Sequence, residues 1–347
     1  MLITRQTDPD NLETPFDRLG GLISEAHYVR SHFPVPPLDP ASFRLEVTGP
    51  GRSPRAFSLD DLRRLPAHTR RVTMECAGNG RVYLSPRASG VQWELGAVGT
   101  AQWTGVLLSA VLQEAGVPEE VTEAVLVGLD RGQMHDPVQS PGPIAYARSL
   151  PLEKAQEDVL LAYEMNGAPL SPAHGAPLRA IVPGWYGMAA VKWLGRVHLQ
   201  AGPYPGYFQT VDYARWEEPA GLPAVRVPLA EMQVKSQIAR PAPHETLSCG
   251  QAVQLLGAAW TGQGEVTRVE VSTDGGGSWA DADFLDPPEA GVWRRWQMSW
   301  TPPAPGAYTL LSRAYDSAGR SQPREHDPLK GSYEIRHTLP VPVTVRP

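Results

Sequence analysis

The hydrophobic positions of this chain follow two regimes. In the first, Phe43-Arg44-Leu45-Glu46-Val47 alternates apolar and polar residues as a half-buried strand does, and Ser58-Leu59-Asp60-Asp61-Leu62 marks a helix start with Ser58 as its cap. Val106 to Ala115 repeats at helical spacing and closes on Gly116 and Pro118. Val125-Leu126-Val127-Gly128-Leu129-Asp130 and Asp158-Val159-Leu160-Leu161-Ala162-Tyr163 read as buried strands, with a helical turn over 152–156 between them. From Cys249 onward the runs shorten and alternate: Ala252 to Leu256, Val266 to Val271, Trp293 to Trp296 and Tyr308 to Leu311, with a turn at Asp274-Gly275-Gly276-Gly277. That second regime predicts a β-sandwich.

Between the two, residues 202–240 are rich in Pro, Gly and Tyr and read as a connecting segment. Residues 1–26 read as a polar arm with a helix-like turn near Glu25. At 347 residues the chain predicts two domains behind this arm, 27–225 and 226–347. Thirty-six prolines and thirty-three glycines favour turns and β structure over long helices.

Hydrophobic residues at 41% and charged residues at 20% describe a folded, water-compatible chain, and a net charge of −6 argues against nucleic acid as its partner. No run of eighteen apolar residues predicts a membrane span. The first residues show no apolar core, twin arginine or cleavage site, so the chain as given is expected in the cytoplasm, or in the periplasm if its start lies further upstream. Two cysteines, Cys76 and Cys249, are too few for a disulfide framework, and no CxxCH motif offers a covalent haem site.

One stretch presents chemistry. In Val72-Thr73-Met74-Glu75-Cys76-Ala77-Gly78-Asn79-Gly80-Arg81 a strand-like run ends on a thiol, and Gly and Asn then turn the backbone beside an arginine. A thiolate there could bind a soft metal, and the alternative is a buried apolar cysteine before an ordinary turn. Asp130, at a strand end, either caps a loop or accepts hydrogen bonds from a ligand's amines. His174, Arg179 and Lys192 lie in Gly- and Pro-rich loops that either converge on a phosphate or carry scattered solvated charges. Trp93 and Tyr213 are either packing aromatics or pocket walls.

VTMECAGNGR resembles the cysteine signature of the sulfite oxidase family, usually CAGNRR; here Gly80 replaces the first arginine. HYVRSHFPVP (27–36), LLAYEMNG (160–167) and VKWLGRV (191–197) are similar to further family motifs in the same order. The resemblance implies an α+β protein: a mixed α/β molybdopterin-binding domain followed by an immunoglobulin-like dimerisation domain. It implies that Cys76 binds molybdenum, and that His32, Asp130, His174, Arg179 and Lys192 hold the pterin cofactor. It further implies an anion pocket of Arg30, Arg81 and Arg294, the last from the WRRWQ segment, with Trp93 and Tyr213 completing it. Tyr213 lies in Val211-Asp212-Tyr213, where the family has RDY. The expected activity is oxidation of sulfite to sulfate by oxo transfer, with single electrons passed to an external carrier such as a c-type cytochrome and a homodimer as the assembly. Alternatives are a same-fold enzyme for nitrate or a sulfoxide, and a non-catalytic pterin-binding scaffold.

Overall fold

A computed structural model describes residues 1–51 and 53–347. The first unit contains two five-stranded sheets. One joins Ala67–Glu75, Val98–Leu107, Leu160–Met165 and Ala168–Pro169 in antiparallel order, with Arg179–Ile181 also paired to Leu160–Met165. The other runs Arg55–Phe57, Leu45–Thr48, Leu194–Gln200, Glu123–Gly132 and Ile144–Pro151, and its one parallel pair is Leu45–Thr48 with Leu194–Gln200.

Short helices cover these sheets. Leu59–Arg64 is capped by Ser58, as the sequence predicts, and Ser58 and Asp61 bond reciprocally in a capping box. The helix expected from Val106 begins instead at Leu108. Val106 and Leu107 pair with Leu161 and Leu160, and these sheet hydrogen bonds hold the chain extended for two more residues.

Ala67–Glu75 carries the organising feature of the fold. Its first half alternates between exposed and half-buried positions and its last four residues are all buried, so the strand dives into the protein as it approaches Cys76. Asp130 is aimed by a different device. Between Val127 and Arg131 the ladder to Ile144–Pro151 slips, and this bulge re-aims the side chains from Gly128 to Asp130.

The second unit is the expected sandwich. One sheet orders Lys235–Arg240, Val253–Trp260, Arg294–Trp300 and Asp283–Phe284; the other orders Thr246–Ser248, Val341–Arg346, Gly306–Asp316, Val266–Ser272 and Ala280–Asp281. Its apolar interior contains Leu255, Val269, Trp296 and Leu310. Trp260 and Trp293 belong instead to the core of the first unit, so the two units share buried surface.

Val225–Pro228 pairs with Ala214–Glu217, and the first strand of the sandwich begins at Lys235. The arm over 1–26 is a hairpin of Ile3–Thr7 and Asp10–Glu13, and its helical turn is the 3-10 turn Phe16–Arg18 rather than one near Glu25. No helix among the described residues is long and apolar enough to cross a membrane.

Candidate active site

Two clefts meet at Cys76. A deep slot in the first unit is lined by Tyr28, Asp130, His174, Arg179 and Lys192, among others; a broad mouth is lined by Arg81, Asp212, Lys330 and Tyr333, among others. Arg30, Ser31, His32, Cys76 and Tyr213 line both.

The thiol sits at this seam because the chain turns immediately after it. Cys76 N–H donates to the Ala97 carbonyl at 2.8 Å, and Asn79 N–H returns to the Cys76 carbonyl at 2.9 Å. Burial pushes the Cys76 thiol up, while the Arg81 and Arg30 guanidiniums pull the other way. Gly80 follows with φ +95°, and a Cβ there would stand 3.2 Å from Ile335 and 3.3 Å from Leu339. Backbone and space together explain why glycine replaces the family arginine.

Arg30 and Arg81 flank the seam. Arg30 donates through Nη1 to Asn11 Oδ1 at 3.2 Å and to the Ser31 carbonyl. Arg81 donates through Nε to the Ser332 carbonyl at 3.2 Å and through Nη1 to the Val91 carbonyl at 2.7 Å. Its guanidinium lies over the Tyr333 ring, 5.3 Å from the centroid. Neither Nη2 has a protein acceptor among the described residues, so each arginine keeps an edge for an anion.

Tyr213 and His32 form the polar wall of the seam. The Tyr213 hydroxyl lies 2.9 Å from His32 Nε2. Burial pushes the tyrosine up and the histidine well below its ordinary value, so the bond joins a neutral hydroxyl and a neutral imidazole. Asp212 Oδ2 is 3.8 Å from the same nitrogen, and Oδ1 accepts from the Tyr333 hydroxyl.

The deep slot is built for a ligand with both phosphate and amine character. Lys192 Nζ donates to Ser31 Oγ and to the Ala173 carbonyl, each at 2.8 Å; burial and then Arg179 push its ammonium well below its ordinary value, a shift that an anionic ligand would oppose. Arg179 bonds the His174 and Ala190 carbonyls at 3.0 and 3.1 Å, and burial lowers it to about 10. His174, lowered to about 4 by burial and then by Arg179, is neutral. Trp193 places Lys192 through a left-handed backbone at φ +48°, a conformation a bulky residue keeps only when its surroundings hold it. Its indole donates to the Pro172 carbonyl at 2.9 Å, and its carbonyl accepts from Leu129 N–H at 2.9 Å.

Asp130 Oδ1 is buried with no hydrogen-bond partner, and burial raises its carboxyl to about 6. An unpartnered buried acceptor is costly unless a ligand completes it. A Cβ on Gly128 would lie 2.4 Å from this oxygen, so glycine is what gives it room. Cations at one side, an unsatisfied acceptor and a thiol at the seam fit the donor set a phosphorylated pterin dithiolene needs. Cys76 would bind the metal, Lys192, Arg179 and His174 the phosphate, and Asp130 the pterin's amines.

Two expected pocket residues lie elsewhere. Arg294 stays in the second unit, where it donates to the Asp286 and Val266 carbonyls at 3.2 and 2.8 Å and stacks on Phe284 at 3.5 Å. It lines neither cleft, because its strand register turns it into its own sandwich. Trp93 is fully buried behind the seam, edge-on to Tyr28 at 6.4 Å, and supports the wall without forming it. The mouth instead receives Lys330 and Tyr333, from a segment whose sequence carries no motif. Asn11, in the arm given no role, holds Arg30.

The description "Oxidoreductase molybdopterin binding domain" matches residues 32–208, and "Mo-co oxidoreductase dimerisation domain" matches residues 226–331. The chain is 38% identical to mitochondrial sulfite oxidase of Rattus norvegicus, over 85% of this chain and 56% of that protein. It is 36% identical to sulfite oxidase of Gallus gallus, over 92% of this chain and 72% of that protein. The chain thus spans little more than half the length of its mammalian relatives. Among solved structures, the sulfane dehydrogenase SoxCD from Paracoccus pantotrophus aligns with a TM-score of 0.82 and 29% identity, over 97% of this chain and 85% of that one. With its thiol at the seam, a pterin-shaped donor set behind it and both family domains in order, the chain belongs to the sulfite-oxidase-like family of molybdopterin-dependent oxidoreductases.

Proposed function

We propose that this chain oxidises sulfite to sulfate: sulfite and water give sulfate, two protons and two electrons. The observation that carries this reading is the mouth, which Cys76, Arg30, Arg81 and Tyr213 line together. The bound cofactor supplies the oxygen transfer and two-electron chemistry that no side chain possesses.

The chain's own residues recruit and orient the anion. Arg30 and Arg81 offer paired N–H edges to a dianion and offset the negative charge of the thiolate nearby. Lys330 extends the positive lining outward, although Glu334, 3.0 Å from its ammonium, tempers it. The Tyr213 hydroxyl, anchored on neutral His32, holds its proton at the seam and can turn it toward an oxyanion. The electrons leave singly to an external carrier such as a c-type cytochrome, and the second unit pairs the chain with a copy of itself.

Steady-state reduction of ferricyanide by sulfite tests the substrate. Arg81→Met is expected to raise the sulfite KM by about tenfold or more, the loss of one charge-assisted contact, with cofactor content unchanged. An unchanged KM rejects the anion pocket. A second reading, oxidation of a sulfane sulfur on a larger carrier, is favoured by the breadth of the mouth, about 840 Å³, far more than a four-atom oxyanion fills. The named activity of the SoxCD relative agrees with it. Turnover of thiosulfate in preference to sulfite would select that reading.

A further inference from the structure

Lys235 and Trp260 are cross-strand partners in the second unit, and both side chains reach into the first. Lys235 Nζ lies 2.8 Å from Glu75 Oε1 and donates to the Asn79 carbonyl at 3.0 Å. Trp260 Nε1 donates to Glu75 Oε2 at 2.9 Å, and Asn79 Nδ2 donates to Glu75 Oε1 at 3.1 Å. Glu75 immediately precedes Cys76, and Asn79 closes the turn that carries it.

The side chains of Lys235 and Glu75 are each 2% exposed. Taking both charges out of water offsets most of their attraction, so such a pair adds little net stability. What it fixes is geometry. We propose that Lys235 is a positioning residue for Cys76: one ammonium from the second unit grips both ends of the turn bearing the thiol, so that docking of that unit sets where the sulfur sits.

The proposal rests on Cys76 being the protein ligand of the cofactor, and its test separates the two. Lys235→Met alone would strand a buried carboxylate, so Lys235→Met/Glu75→Gln is the informative variant; its amide oxygen keeps an acceptor for Asn79, while Trp260 loses its own, a loss that Trp260→Phe reproduces by itself. In a Cys249→Ser background, cofactor-free protein is treated with iodoacetamide and Cys76 alkylation is timed, and molybdenum retained through gel filtration is measured on protein purified with cofactor. The double variant is expected to alkylate about tenfold faster and to retain correspondingly less metal, the effect of losing a charge-assisted tether. Trp260→Phe, which keeps the ammonium on both ends of the turn, should alkylate at the unaltered rate.

Wild-type alkylation and retention in the double variant would overturn the proposal. Equal acceleration in Trp260→Phe would overturn it too, because the effect would then be general loosening between the units. Absence of molybdenum from the unaltered protein would reject the ligand role of Cys76, while the alkylation rates would still decide whether Lys235 positions the turn.

Discussion

The Tyr213 hydroxyl lies 2.9 Å from His32 Nε2, with both rings buried at the place where the deep slot meets the mouth. Two neutral, buried groups form a bond whose loss is felt on both sides. Tyr213→Phe leaves His32 Nε2 with Asp212 as its nearest polar neighbour. We expect a stability loss of about 1 kcal/mol in denaturant unfolding and a lower kcat for sulfite at unchanged molybdenum content. An unaltered kcat would remove the hydroxyl from the chemistry.

Asp130 makes the cofactor-free chain sensitive to pH. Its carboxyl titrates near 6 in the fold against about 3.9 when unfolded, so the folded state binds its proton more tightly. The stability this residue contributes is fully present below pH 4 and is lost as pH rises through 6, up to about 3 kcal/mol. Asp130→Asn should therefore be more stable than the unaltered chain at pH 8, and the advantage should vanish near pH 4, measured by urea unfolding without cofactor. With cofactor present the order reverses, because the amide cannot accept from amines as a carboxylate does, and molybdenum retention should fall. Equal unfolding curves at both pH values would show that Asp130 is solvated rather than waiting for a ligand.

Arg294→Met separates the expected pocket from the observed one. Because Arg294 bonds the Asp286 and Val266 carbonyls, its loss should cost about 1 kcal/mol of stability and leave the sulfite KM unchanged. A raised KM would return it to the anion site.

What the sequence reveals follows from how local each feature is. The cysteine turn is legible because strand, thiol and turn residues are contiguous, and the cap of Leu59–Arg64 because Ser58 directly precedes the helix. The sandwich is legible because its strands alternate regularly. Arg294 misleads because a matching segment does not say which face of a strand meets which cleft, and Trp93 because a tryptophan packs behind a wall as readily as in it. Lys330 and Tyr333 escape notice because tertiary folding alone returns their segment to the mouth. The Glu75–Lys235 pair is hidden for the same reason, its partners being 160 residues apart. The hairpin of 214–217 with 225–228 lies in a stretch whose Pro and Gly content masks its alternation.

The central claim is that Cys76, at the junction of the two clefts, binds the cofactor's metal within reach of an anion held by Arg30 and Arg81. Molybdenum content measured together with sulfite-dependent ferricyanide reduction, on the unaltered protein and on Cys76→Ser, tests it most directly. The account predicts stoichiometric metal and turnover in the first, and a folded second protein that does not oxidise sulfite. Full sulfite oxidation by Cys76→Ser, or stoichiometric metal in an unaltered protein inert to sulfite, would contradict it.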